Sequence, residues 1–208
     1  MQQRNSIQNS STRHPKRIGI FGGSFDPPHM GHLIIAERAT DQLRLDVTFF
    51  VPAFLPPHKL RRKTTPPEQR LAMLRRAIRG NRRFRISELE LRRKGISFTV
   101  DTLRTMKRRF PKSTLYLIIG SDNLELFETW KEPEHILKLA RLVVYPRRTS
   151  PRTGRVTRTL RLIQLKGPIL DISSSDLRRL VRTGASIRYL VPHDVELYIA
   201  SHRLYRNR

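Results

Sequence analysis

Two histidines, His29 and His32, flank Gly31 just after a loop that opens with the pair Gly22-Gly23. An imidazole can donate an N–H to a phosphate oxygen and stabilise negative charge that builds there. Glycines beside it let a ligand approach the backbone closely. Ser24 and Phe25 continue the loop and, with Gly22 and Gly23, are candidate phosphate ligands. A second cluster lies far down the chain, where Ser173, Ser174 and Ser175 precede Arg178. Hydroxyls and a guanidinium at a helix start make another anion site, because the first-turn N–H groups and the helix dipole both favour negative charge.

Elements must hold these residues in place. Ile18, Ile20 and Phe21 form the apolar run of a buried strand, and Gly22-Gly23 is where the backbone can turn tightly. Asp26-Pro27-Pro28 keeps the next segment irregular. From Gly31 the spacing predicts a helix with Leu33, Ile34, Ala36 and Leu43 on its buried stripe. Asp46 to Val51 reads as a second strand, so strand, helix and strand form a βαβ unit with a right-handed parallel crossover. Pro52 to Pro57 then displays His58 and Lys59 at that strand's carboxyl end, the edge where open α/β sheets bind ligands.

Thr65-Pro66-Pro67-Glu68 reads as a capping box. The helix it opens turns Leu71, Leu74 and Ile78 inward and Arg70, Arg75, Arg76 and Arg79 to solvent. Arg85 to Leu91 has the composition of a strand, and Ser97 and Thr99 cap a helix carrying Val100, Leu103, Met106 and Phe110. Thr114 to Ile119 is the clearest buried strand, and Asp122 follows it. That carboxylate either accepts bonds from sugar hydroxyls or caps a short helix at Leu124 to Phe127. Trp130 is a core residue by type, but its polar neighbours, Thr129 and Lys131 among them, suit a half-exposed stacking platform. A helix from Glu132 to Leu139 and strands at Arg141 to Tyr145 and Arg161 to Leu165 come next. The Arg-rich stretch 147–161 between those strands reads as a solvated loop or an anion lid. Ser173 with Asp176 fits another capping box, and a last helix opens at Pro192 and runs to Leu204.

At 208 residues the chain suits one domain with a substantial core, preceded by a polar, basic and disordered tail at residues 1–16. The single domain is expected over residues 17–208. With no cysteine, disulfides and thiolate metal sites are excluded. No run of about 18 apolar residues is present, so no membrane partner is expected, and the polar N-terminus lacks a secretory h-region. A cytoplasmic location is the default expectation. The formal charge of +25 invites a nucleic-acid reading. The basic residues are spread along the whole chain, however, and no RNA-reading aromatic strand is visible, so no specific nucleic acid is expected. The sequence is silent on oligomeric state.

The run Gly22 to His32, with its His29-Met30-Gly31-His32 core, resembles the HxGH signature of the nucleotidyltransferase superfamily, in particular the members that adenylate pyridine mononucleotides. Pro56-Pro57-His58-Lys59, Ser97 to Leu103, the stretch Ile119 to Pro146 and Ile172 to Arg178 are similar to further motifs of bacterial nicotinate-nucleotide adenylyltransferases. Ser175 and Leu177 depart mildly from the superfamily's ISSTxIR pattern, standing where it has Thr and Ile. The resemblance implies a Rossmann-like α/β fold, an open parallel sheet with helices on both faces. It also implies adenylyl transfer from ATP to nicotinate mononucleotide in NAD biosynthesis, with Mg²⁺ on the ATP phosphates and no protein metal cage. On that reading His29, His32 and Arg178 are catalytic, and Gly22, Gly23, Ser24, Phe25, Lys59, Ser173 and Ser174 bind ATP or its phosphates. Thr99, Asp122, Trp130 and Lys131 bind the mononucleotide, with Trp130 stacked on the pyridine ring. The rival readings are a phosphopantetheine adenylyltransferase, which shares HxGH and the Ser-rich motif but lacks the Trp130 segment, and a basic nucleic-acid-binding protein.

Overall fold

The computed structural model describes residues 15–57, 64–146 and 162–206. The expectations for the tail up to residue 14, for His58 and Lys59, and for the stretch 147–161 fall outside these residues. Pro15 and Lys16, assigned to the tail from sequence, are tied to the body. The Lys16 N–H donates to Asp46 Oδ2 at 2.7 Å, and the Ser113 hydroxyl donates to the Pro15 carbonyl.

The strands β1 (Arg17–Gly23), β2 (Val47–Pro52), β3 (Phe84–Ile86), β4 (Thr114–Gly120), β5 (Arg141–Tyr145) and β6 (Ile163–Gln164) form one parallel sheet in the order β3-β2-β1-β4-β5-β6. Ile20 pairs with Phe49 on one side and Leu117 on the other. Leu115 to Ile119 are buried without alternation, as a strand covered on both faces requires. One face carries α4 (Thr99–Arg109) and α6 (Pro133–Leu139), whose Val100, Leu103, Met106 and Ile136 pack on Ile18, Ile20 and Leu117. The other carries α1 (Met30–Gln42), through Ile35, Ala36 and Ala39. A third cluster joins α2 (Pro67–Ala77), α7 (Ser174–Arg182) and α8 (His193–Ser201). No described helix is long and apolar enough to cross a membrane.

Local signals placed most strands and helices, and several details differ. The buried stripe of α1 runs through Gly31, Ile35, Ala36, Ala39 and Thr40, leaving Ile34 half-exposed, so its phase is rotated from the expected one. The stretch expected as a strand from Arg85 to Leu91 is a strand only to Ile86, where its register with Phe50 ends, and Leu89–Arg93 is a short helix, α3. Likewise the strand expected from Arg161 to Leu165 pairs only at Ile163–Gln164. Thr65 is not the cap of α2. That position is Pro66, because the Thr65 N–H donates to Asp26 Oδ2 and its carbonyl accepts from Arg70.

Glu90 of α3 is 7% exposed, and its Oε1 accepts the Thr102 hydroxyl at 2.5 Å. Burial pushes its carboxyl above the usual range, and bonds from Thr102 and Ser97 offset only part of that. The folded state therefore holds this proton more tightly than the unfolded chain does. Stability from this group falls as pH rises from the ordinary Glu value, about 4.3, through the raised folded value. Glu90→Gln keeps an acceptor for Thr102 and is expected to raise the melting temperature at pH 7.5. The gain should vanish below about pH 4, where both states carry the proton. Thermal unfolding of both proteins over that pH series measures it.

Candidate active site

The connection from β1 leads to β2 on one side, and the one from β4 leads to β5 on the other, so the strand order reverses between β1 and β4. In open α/β sheets the crevice beyond the carboxyl ends at such a point is where ligands bind. Here those ends are Gly22-Gly23 and Gly120.

The glycine pair does not make the tight turn expected of it. Both residues stay in the strand ladder, paired with Val51 and Pro52, and the left-handed position falls on Phe25, at φ 49°. Gly23 matters for a different reason: a Cβ there would crowd the Phe25 ring at 3.1 Å. Around Gly22 a Cβ would meet nothing within 4 Å, so this backbone faces clear space at the sheet edge. Phe25 is buried among Phe21, Phe50 and His32, with ring centroids 5.9, 5.7 and 5.0 Å away. Its ring is core, so any contact it makes with a phosphate is through the main chain.

His29 is the N-cap residue of α1, and His32 lies one turn in. Their rings are 3.7 Å apart at 32°, and the His29 N–H donates to His32 Nδ1 at 3.2 Å. With Nδ1 an acceptor, a neutral His32 carries its proton on Nε2, the outer nitrogen. Gly31 suits the pair, since a Cβ there would crowd the His29 ring at 3.0 Å. His29 is 4% exposed and His32 half-buried. The helix start is not wholly open to a ligand, because the Met30 N–H donates to the Leu190 carbonyl at 2.9 Å.

The Ser-rich motif docks on this loop across the fold. Ser173 caps α7, its hydroxyl oxygen accepting the Asp176 N–H at 3.1 Å. Ser174 Oγ donates to the Pro27 carbonyl at 2.9 Å, and Arg178 donates to the Asp26 carbonyl at 2.7 Å and to Ser175 Oγ at 3.2 Å. Two helix starts distant in sequence thus abut around residues 22–31, and Gly22, Gly23, Ser24, His29, His32, Ser173, Ser174 and Arg178 belong to one constellation.

A second group forms beside it. Ser97 does not cap α4, whose N-cap position is Phe98. Its hydroxyl accepts the Phe54 N–H instead, which ties the loop after β2 to the start of α4. Thr99 is the first residue of that helix. The Lys131 ammonium lies 4.6 Å from the Phe98 ring centroid and 3.6 Å from Asp101, bringing Trp130-Lys131 against the same helix start. Trp130 is half-buried on Phe127, at a ring distance of 5.5 Å, as a platform with one covered face requires. Asp122 is not a cap: the N-cap residue of α5 (Ser121–Leu124) is Gly120, which leaves Asp122 partly buried inside the turn that follows β4. The helix expected at Leu124 to Phe127 is replaced by this turn and a 3₁₀ turn at Phe127–Thr129.

Sequence reasoning missed the clamp beneath the loop. Arg70, expected on a solvated face, is 1% exposed. Its guanidinium donates to the carbonyls of Ser24 and Ala53 at 2.8 Å, Thr65 at 2.9 Å and Phe54 at 3.3 Å. Buried Asp26 supplies the negative charge nearby and accepts the Tyr205 hydroxyl at 2.7 Å. Burial first, and the adjacent carboxylate second, push the Tyr205 phenol far above its usual value, so it remains a donor at any physiological pH. No local signal marks these roles, because Arg70 occupies a position with helical spacing among other arginines.

The cytidylyltransferase-like family model matches residues 20–180, which span both histidines and both helix starts. Three curated relatives all carry the name "Probable nicotinate-nucleotide adenylyltransferase". That of Exiguobacterium sibiricum is 42% identical over 193 residues, covering 91% of this chain and 98% of its own. The one from Thermus thermophilus is 44% identical, covering 91% and 100%, and the one from Thermomicrobium roseum 45%, covering 91% and 92%. This chain belongs to the nicotinate-nucleotide adenylyltransferase family. Among solved structures, Plasmodium falciparum nicotinic acid mononucleotide adenylyltransferase complexed with NaAD superposes with a TM-score of 0.80 at 22% identity, covering 91% of this chain and 97% of that one. At that identity the likeness shows the fold, the Rossmann-like parallel sheet of the nucleotidyltransferases. Family membership sets aside the phosphopantetheine and nucleic-acid readings as primary functions.

Proposed function

We propose that the chain transfers the adenylyl group of ATP to nicotinate mononucleotide, yielding nicotinic acid adenine dinucleotide and pyrophosphate, as a step of NAD biosynthesis. The observation that carries this reading is the docking of Ser174 and Arg178 onto the loop that bears the His29–His32 pair, in a chain with relatives of that name. A phosphate oxygen of the mononucleotide attacks the α-phosphorus of ATP, and the bond from that phosphorus to the bridging oxygen breaks. The attacking phosphate is already ionised, so the protein needs no general base and acts by positioning and by stabilising charge.

Gly22, clear on one side, admits the triphosphate, and the Gly23 and Ser24 main chain borders it. His32 Nε2–H donates to phosphate oxygens, with His29 stacked behind to hold the ring. Ser173, Ser174 and Arg178 receive the departing pyrophosphate. A guanidinium has five N–H donors, so Arg178 keeps some for the ligand beyond those bonded to Asp26 and Ser175. Lys59 is a further triphosphate ligand on this reading. Thr99, Lys131 and the Trp130 face form the pyridine pocket, and Asp122 accepts from a ribose hydroxyl. Among the described residues no group of three or more His, Asp or Glu is placed to hold a metal. Mg²⁺ enters on the ATP phosphates with its waters, as this ion prefers, and neutralises their charge. A cytoplasmic location for the reaction is part of this proposal.

Pyrophosphate release with ATP and, in turn, nicotinate mononucleotide, its amide and phosphopantetheine tests the reading. The acid should be preferred, and equal or better turnover of phosphopantetheine overturns it. Trp130→Ala tests the pyridine pocket. Stacking on an aromatic platform contributes on the order of 1–3 kcal/mol, so KM for the mononucleotide should rise about 5- to 160-fold while KM for ATP stays near its original value. If the ATP constant moves instead, Trp130 lies on the adenine side.

A further inference from the structure

A cavity of about 1260 Å³ lies away from the histidine pair. It opens over the sheet face beside edge strand β3, at the opposite end of β1 and β2 from Gly22-Gly23, where α3 and the end of α4 leave the strands uncovered. Its floor is apolar: Val47 and Phe49 of β2, with Phe110 after α4, the two rings 5.8 Å apart. Its rim is cationic, carrying Lys16, Arg82, Arg92 and Arg109, none of which is in an ion pair among the described residues. The two carboxylates there are engaged elsewhere. Asp46 accepts the Lys16 and Arg17 N–H groups at 2.7 and 2.8 Å, and Glu88 pairs with Arg75 at 2.6 Å.

Charge complementarity is what selects the ligand, since those four rim cations surround an apolar floor. A flat ring would cover the Phe49–Phe110 floor while its phosphates meet the guanidinium rim, the usual division of a pocket into apolar body and convergent polar groups. The chain's own first residues do not match this charge: residues 1–14 contain Arg4, Arg13 and His14 and no acid. We propose that this groove binds a nucleoside phosphate at a second, non-reacting site. A product or substrate nucleotide held there would report nucleotide supply to the enzyme from the far side of the sheet.

Equilibrium dialysis of the full chain with labelled ATP and Mg²⁺ tests this. The wild type should hold two equivalents per chain. Arg82→Glu with Arg92→Glu, both exposed and outside the reacting site, should hold one, with kcat and KM within about twofold of wild type. A single equivalent on the wild type, or a second one unchanged in the charge-reversal variant, overturns the proposal. Loss of affinity for a single-stranded RNA in the charge-reversal variant, with one ATP equivalent throughout, also overturns it and makes the groove a polynucleotide surface. The first equivalent belongs to the reacting site, so its absence would count against the proposed reaction and not against the groove.

Discussion

His32→Ala is expected to lower kcat by roughly 10²–10³-fold, the effect of removing one preorganised donor from charge that develops in a transition state, about 2.7–4 kcal/mol. KM for the mononucleotide should change little, because the imidazole is proposed to act on the triphosphate and not on the pyridine. The His29 N–H that bonds His32 Nδ1 at 3.2 Å leaves Nε2 as the donor, and this leads to a finer expectation. His32→Gln can present its side-chain NH₂ near the Nε2 position and should recover part of the lost rate, whereas His32→Asn, one methylene shorter, should not. Steady-state kinetics at saturating ATP and Mg²⁺ separate these cases. Turnover close to wild type in His32→Ala would remove His32 from the chemistry and leave it a partner of the Phe25 ring.

Arg70→Met should cost about 3–5 kcal/mol of stability, as expected when one partner of a buried charged network is removed and the other is left behind. The carbonyls of Ser24, Ala53, Phe54 and Thr65 would lose their shared donor, and Asp26 its neighbouring cation. Arg70→Lys is the sharper test. It keeps the charge, but a single ammonium cannot span four carbonyls set around a planar guanidinium. A folded Arg70→Lys protein should lose kcat more than it loses affinity for either nucleotide, because the loop at residues 24 and 25 would still bind the triphosphate while holding it less precisely. Urea unfolding read beside kcat and KM decides it. An Arg70→Lys protein within 1 kcal/mol of wild type and with full kcat would show that the loops hold themselves.

The elements that local chemistry specifies were legible in the sequence. Strands β1, β2, β4 and β5 announce themselves as apolar runs because they are buried on both faces, and the helix start at Ser173 because its cap lies within three residues. The HxGH and Ser-rich motifs were legible for the same reason, since a glycine between two histidines and hydroxyls at a helix N-terminus meet needs set within one turn. Other features depend on partners that are remote in sequence. Arg70 reads as one more surface arginine, yet it answers to Ser24, 46 positions away. Thr65 has the form of a cap but bonds Asp26, 39 positions away, and Ser97 likewise serves the Phe54 N–H, 43 positions away. Asp26 meets the Tyr205 hydroxyl from 179 positions away. In each case a buried polar group took the partner that the fold delivered, because leaving a buried donor or acceptor unpaired costs more than forgoing a local cap on a solvated helix end. What the chain can hold was written locally, and how firmly it is held was decided by which strands and helices came to lie together.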